Sequence, residues 1–184
     1  MRTKQKIALF GSLRTLVLSS IFVAVSIVCG KYLAIPGGNV LRFSFENLPV
    51  LLAGMSFGPV VGMAVGVAAD LLGSLLRGYD INLVLTLGAA VIGLVGGIVF
   101  RLCRSLSDIP RVTLTVSLAH LLGSVIIKTA GLSLFYDMPL YELMLWRLLN
   151  YVIVGALEGG LLCLLIRNRT LRTYLNLTGK ERNS

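Results

Sequence analysis

Long apolar runs separated by short basic connections dominate this sequence, and they leave the backbone few ways to satisfy its hydrogen bonds. Where lipid replaces water, only helices and closed barrels pair every backbone N–H and C=O. The runs cover residues 13–35, 43–57, 59–76, 82–101, 110–132 and 141–166. Most reach the ~20 residues an α-helix needs to cross the hydrocarbon of a bilayer, and the second is short at about 15. The chain is 56% hydrophobic and 14% charged, whereas a soluble domain carries about 25% charged residues. The expected fold is an all-α membrane protein, a six-transmembrane-helix bundle in which residues 1–184 form a single integral membrane domain.

Charge fixes the count of crossings. Arg2, Lys4, Lys6 and Arg14 precede or open the first run. Arg101, Arg104 and Arg111 flank the fourth connection, and Arg167, Arg169, Arg172, Lys180 and Arg182 fill the tail at 167–184. These 12 of the 17 bases fall on one side only if the chain crosses six times. The positive-inside rule then places both termini and the tail in the cytoplasm. The N-terminal run is too long for a signal-peptide core and ends without a small-residue cleavage site, so it reads as a retained helix. The other five bases, Lys31, Arg42, Arg77, Lys128 and Arg147, map to the outer half against the orientation bias, which implies local work.

Several function classes drop out. The bases punctuate apolar runs, so no basic face exists for nucleic acid. Cys29, Cys103 and Cys163 are far apart and join no metal-ligand pattern. GMSFG at 54–58 matches G-x-S-x-G, but that elbow needs a preceding strand and a His–acid pair within reach. No Walker A, HExxH or acidic DxxxD metal cluster occurs, so neither ATP hydrolysis nor a lipid-metabolising membrane enzyme is supported, and no cofactor is expected. NRT and NLT match glycosylation acceptors but fall in the cytoplasmic tail.

Small residues recur at Gly54, Gly58, Gly62 and Gly66, and again at Ala89, Gly93, Gly96 and Gly97. Such spacing lets membrane helices approach closely. At 100° per residue, Gly62, Gly66, Asp70, Gly73 and Arg77 lie within about 40° of one meridian. Asp70 therefore points into the bundle. The same wheel groups Arg147, Asn150, Tyr151, Val154 and Glu158 on the sixth run. It groups Thr113, Ser117, His120, Ser124 and Lys128 on the fifth, and Asn82 and Thr86 with the glycines of the fourth. A charge at a helix centre costs about 2.5–3.5 kcal/mol on insertion scales, so Asp70 needs a wet pocket or a basic partner such as Arg147 or Lys128. His120 reads as a satisfied core histidine and Glu158 as structural. The outer-half group suggests a site for an anionic, hydrogen-bonding ligand. A ligand-free assembly subunit would instead pair these groups only with one another. In the loop AIPGGNVLRFSFEN, Phe43 and Phe45 suit either stacking on a flat ring or anchoring at the headgroups, as do Trp146, Tyr141 and Tyr136.

The stretch FSFENLPVLLAGMSFGPVVGMAVGVAADLLGSLL resembles the substrate-binding S components of energy-coupling factor (ECF) vitamin transporters. The carriers are an aromatic-flanked LP, then LAG, FGPxxGxxxG and a D-L-x-G end. RFSF and NLVLTLGAAVIGLVGGIVF most resemble the folate-specific group, and the similarity is strongest over residues 41–98. The resemblance implies a non-enzymatic subunit of a bacterial plasma-membrane importer. It would capture folate or another vitamin (riboflavin, pantothenate, thiamine or a queuosine precursor) from outside, and dock on a transmembrane coupling protein driven by two cytoplasmic ATPases. The docking motif of that family falls on Ser20 to Ala24, with Ser at the usual Ala. For folate, Asp70 or Asn150 would read the pterin edge and Arg147, Lys128 or Arg42 would meet the glutamate tail. Phe43, Phe45, Tyr79 and Trp146 would stack on rings, with Asn82 and Tyr151 beside them.

Overall fold

The computed structural model describes residues 13–37, 41–136, 139–175 and 177. It is a bundle of helices: α1 (Leu13–Lys31), α2 (Asn47–Phe57), α3 (Pro59–Arg77), α4 (Leu83–Leu102), α5 (Asp108–Ala119), α6 (Lys128–Tyr136), α7 (Leu140–Arg167) and the short α8 (Arg169–Tyr174). A π-helical segment, His120–Ile127, joins α5 to α6 without a break. Among the described residues, five helical stretches are long and apolar enough to cross a membrane, Asp108–Leu134 counting as one. α2 is shorter, because the chain before it is not helical. Residues Ile35–Gly37 (β1) and Leu41–Phe43 (β2) pair as an antiparallel hairpin, Ile35 opposite Phe43, which the apolar pattern did not predict. The outward faces carry Leu16, Val17, Ile21, Leu87, Leu149 and Ile153, as a lipid-facing surface requires.

Glycine spacing builds the centre. A Cβ on Gly93 would collide with the Gly62 carbonyl, one on Gly66 with the Ala89 carbonyl, and one on Gly54 with the Gly93 carbonyl. α2, α3 and α4 therefore touch backbone to backbone, as small-xxx-small spacing allows. The regular run is interrupted at Gly58, which serves the turn between α2 and α3 instead of the seam. Its φ of 104° suits glycine, and Pro59 follows at the first helical position, where a missing N–H costs nothing.

The contacts at the ends give the direction of each helix. Arg14 donates to the Tyr174 carbonyl and lies over its ring, 4.2 Å from the centroid. Arg172 pairs with Asp108 at 3.0 Å, Arg111 donates to the Phe100 carbonyl at 2.7 Å, and Gly58 abuts Arg101. The start of α1 and the end of α7–α8 thus share one end of the bundle. At the other end Lys31 donates to the Leu76 carbonyl at 3.3 Å, and α3 ends on Gly78 in the left-handed conformation.

The helical wheel needs one correction. On the fifth run, Thr113 and Ser117 face outward, whereas His120, Ser124 and Lys128 are buried. For Ser124 and Lys128 the π segment is the reason. Its wider turns advance each residue by roughly 80° where an α-helix gives 100°. Ser124 and Lys128 therefore rotate back towards the sector of Val112 and Val116, and a straight extrapolation sends them away from it.

The glycine seam sets a prediction. Gly93→Ala should lose about 1–3 kcal/mol through overpacking. Gly159→Ala, whose new methyl would meet nothing within 4 Å, should stay within about 0.5 kcal/mol. Unfolding of the detergent-solubilised variants checks the difference.

Candidate ligand-binding site

Among the described residues, two polar clusters inside the bundle stand out. The first surrounds a cavity of about 20 Å³, lined by Ser26, Glu46, Asn47, Asp70, Arg77 and Lys128 together with Gly66, Ala69 and Ala89. That is room for roughly one water. Asp70 reaches the cavity because Gly66 and Ala89 let α3 and α4 close on each other one turn away. Its Oδ2 accepts a hydrogen bond from Thr86 Oγ1 at 2.7 Å, and Thr86 also bonds the Asn82 carbonyl. Asp70, for which a wet pocket or a basic partner was expected, lines the cavity and is held there by a hydroxyl on α4. Lys128, only 6% exposed, is 3.9 Å from Glu46 Oε1, and Arg77 Nη1 is 3.7 Å from Glu46 Oε2. Ser26 Oγ donates to the Glu46 backbone carbonyl at 2.6 Å, tying α1 to the start of α2.

The second cluster joins the π segment to α7. His120 Nε2 is 2.6 Å from Glu158 Oε2, and both side chains are almost fully buried. With Nε2–H donating to the carboxylate, which can only accept, Nδ1 takes the Ser124 hydroxyl at 3.2 Å. Tyr151 stacks on the imidazole with centroids 5.0 Å apart, and Arg147 donates to the Tyr151 hydroxyl at 3.3 Å. Glu158 Oε1 is buried with no hydrogen-bond partner among the described residues. His120 is thus a buried histidine with both ring nitrogens satisfied, as the sequence suggested, and Glu158 is its partner.

The expected site residues divide. Asp70 and Lys128 line the cavity. Asn150 is buried on α7, while Arg147 and Tyr151 belong to the histidine cluster. Asn82 is buried but used locally, its Oδ1 capping α4 by accepting from Val84 N and Leu85 N. Phe43 and Phe45 are half-buried at the hairpin and the turn after it. Tyr79 and Trp146 are more than half exposed and do not line the cavity. Arg42 sits on β2 opposite Pro36, and its side chain lies outside the described residues. Ser20 and Ala24 are exposed on α1.

Glu46 and Ser26 were missed as site residues. The available signal was charge balance, since excess bases in the outer half call for an acid and ENLP supplies one. A larger cavity of about 350 Å³ runs between Leu48, Leu161, Leu164, Leu165, Asn168 and Leu171. Its one polar lining residue, Asn168, caps α8 through its Oδ1, and no charged side chain lines the cavity.

Comparison with known proteins adds the decisive observation. The family model described as "ECF transporter, substrate-specific component" matches residues 14–168. The chain belongs to this family of ECF transporter S components. It is therefore the substrate-binding component of a membrane transporter. No curated protein sequence matches it. Among solved structures, it is similar to one described as "Crystal structure of FolT bound with folic acid". The TM-score is 0.65 and the identity 27%, covering 80% of this chain and 89% of that one.

The buried histidine pair yields a second prediction. His120→Ala should cost about 3–5 kcal/mol, because Glu158 would stay buried without its donor. The double variant His120→Leu/Glu158→Leu should recover most of that loss in denaturant unfolding of the solubilised protein.

Proposed function

We propose that this S component binds folate on the outer side of a bacterial plasma membrane and delivers it through a coupling protein powered by two cytoplasmic ATPases. Support comes first from the convergence of Asp70, Arg77 and Lys128 on one internal cavity. The similarity to a folate-bound S component fits the same ligand. Folate has an amino-pyrimidinone edge and two carboxylates. Asp70, fixed by Thr86, suits the donor groups of the pterin edge, with Asn150 as the second candidate. Lys128 and Arg77 suit a carboxylate, with Arg147 and Arg42 as further cations. Phe43 and Phe45, half-buried at the hairpin and the turn after it, are the candidates to cover a ring. A small-molecule site takes about 300 Å³ or more, so the cluster has to part to admit the vitamin.

The proposed orientation has six crossings and both termini in the cytoplasm, α2 with the hairpin before it forming the short second crossing. Its support is the neighbouring of Arg14 and Tyr174 at one end, together with the basic residues there. Ser20 and Ala24 form the proposed docking face for the coupling protein. The Ser20 hydroxyl is turned back to the Leu16 carbonyl at 3.0 Å, so the face presented is small and largely apolar.

Titration of purified, ligand-stripped protein with folic acid, followed by calorimetry, tests the assignment. Wild type should bind, and Lys128→Ala and Asp70→Asn should each weaken binding at least ~10-fold, about 1.4 kcal/mol. Unchanged affinity in both variants removes this site, and absence of binding by wild type removes folate.

A further inference from the structure

The cavity already contains an anion of its own. Glu46 faces both cations, Oε2 at 3.7 Å from Arg77 and Oε1 at 3.9 Å from Lys128. Charge-assisted hydrogen bonds run at about 2.7–2.9 Å, so Glu46 neutralises two bases without seating closely on either. Its side chain is 28% exposed while Lys128 is almost sealed. The space it occupies is built: a Cβ on Gly30 would come within 2.6 Å of Glu46 Oε2. Glu46 also stands outside the rigid helices, between β2 and the first residue of α2, with its backbone held by Ser26. With Asp70, the cavity's formal charges balance at two acids and two bases.

We propose that Glu46 is an internal stand-in for the ligand's carboxylate. In the empty protein it keeps Lys128 and Arg77 neutralised within the bundle, where an uncompensated cation is costly. An incoming carboxylate takes over both cations, and Glu46 turns towards solvent. The exchange leaves the charge of the cavity unchanged. It also makes Glu46 a built-in competitor, tethered at high effective concentration. Ligands without a carboxylate gain nothing by displacing it, so Glu46 sets both affinity and selectivity for acidic vitamins. This rests on the folate reading above.

The test compares folic acid affinity in wild type, Glu46→Gln, Lys128→Gln and the double variant. Glu46→Gln should bind about tenfold tighter than wild type, the combined worth of two partly exposed ion pairs. The gain should shrink to less than about threefold when Lys128→Gln is the background, since the competitor then lacks one of its two targets. If Glu46→Gln fails to fold, Glu46→Asp, which retracts the carboxylate by one methylene, should show a smaller gain in the same direction. No gain in a folded Glu46 variant, or an equal gain in both backgrounds, overturns the stand-in while leaving folate binding intact. Failure of wild type to bind folic acid overturns the folate reading and takes this inference with it.

Discussion

Backbone contact between α3 and α4 decides where everything else in this protein sits. Gly62 against Gly93 and Gly66 against Ala89 leave no room for side chains between the two helices. With so little separation, one turn further along α3 is enough for Asp70 to meet Thr86 directly. The same approach draws α2 onto α4 through Gly54 and brings Glu46, just before α2, within reach of α3 and the α5–α6 helix. Bulkier residues at the seam would hold the helices apart. The polar groups would then each face a gap instead of one another. In lipid, where no hydrophobic drive pushes helices together, this close approach is the main source of packing energy.

Charge inside the bundle is handled in two ways. His120 and Glu158 bond each other closely and are sealed, with Ser124 and Tyr151 completing their surroundings. Such a pair ties the π segment to α7, and its short hydrogen bond offsets part of the cost of dehydration. Around the cavity the arrangement is looser. Glu46 keeps its distance from both cations, a water-sized space remains, and part of its carboxylate reaches solvent. The contrast separates a sealed, closely bonded pair from charges that face one another at longer range.

The helical character of the chain was legible in the apolar runs, and the close-packing seam in the glycine spacing. Asp70 could be placed on the inward meridian because α3 is a regular helix over Pro59–Arg77. The fifth run was less readable. Thr113 and Ser117 lie outside the buried sector of Val112, Val116 and Ala119, and Ser124 and Lys128 return to that sector only because the wheel assumes one pitch and the π segment uses another. The β1–β2 hairpin also escaped notice, three residues per strand being too few for alternation to show.

The sequence by itself determined that this chain is a membrane helix bundle, because its apolar runs leave the backbone no other way to satisfy its hydrogen bonds. It also determined the resemblance to S components and the inward direction of Asp70, which depend only on residue order and helical period. Only the tertiary structure decided which charges meet. Glu46 is distant in sequence from Lys128, and Glu158 from His120, and no local period links either pair. Their pairing depends on how closely separate helices approach and how far a side chain extends, quantities that exist only once the bundle has packed.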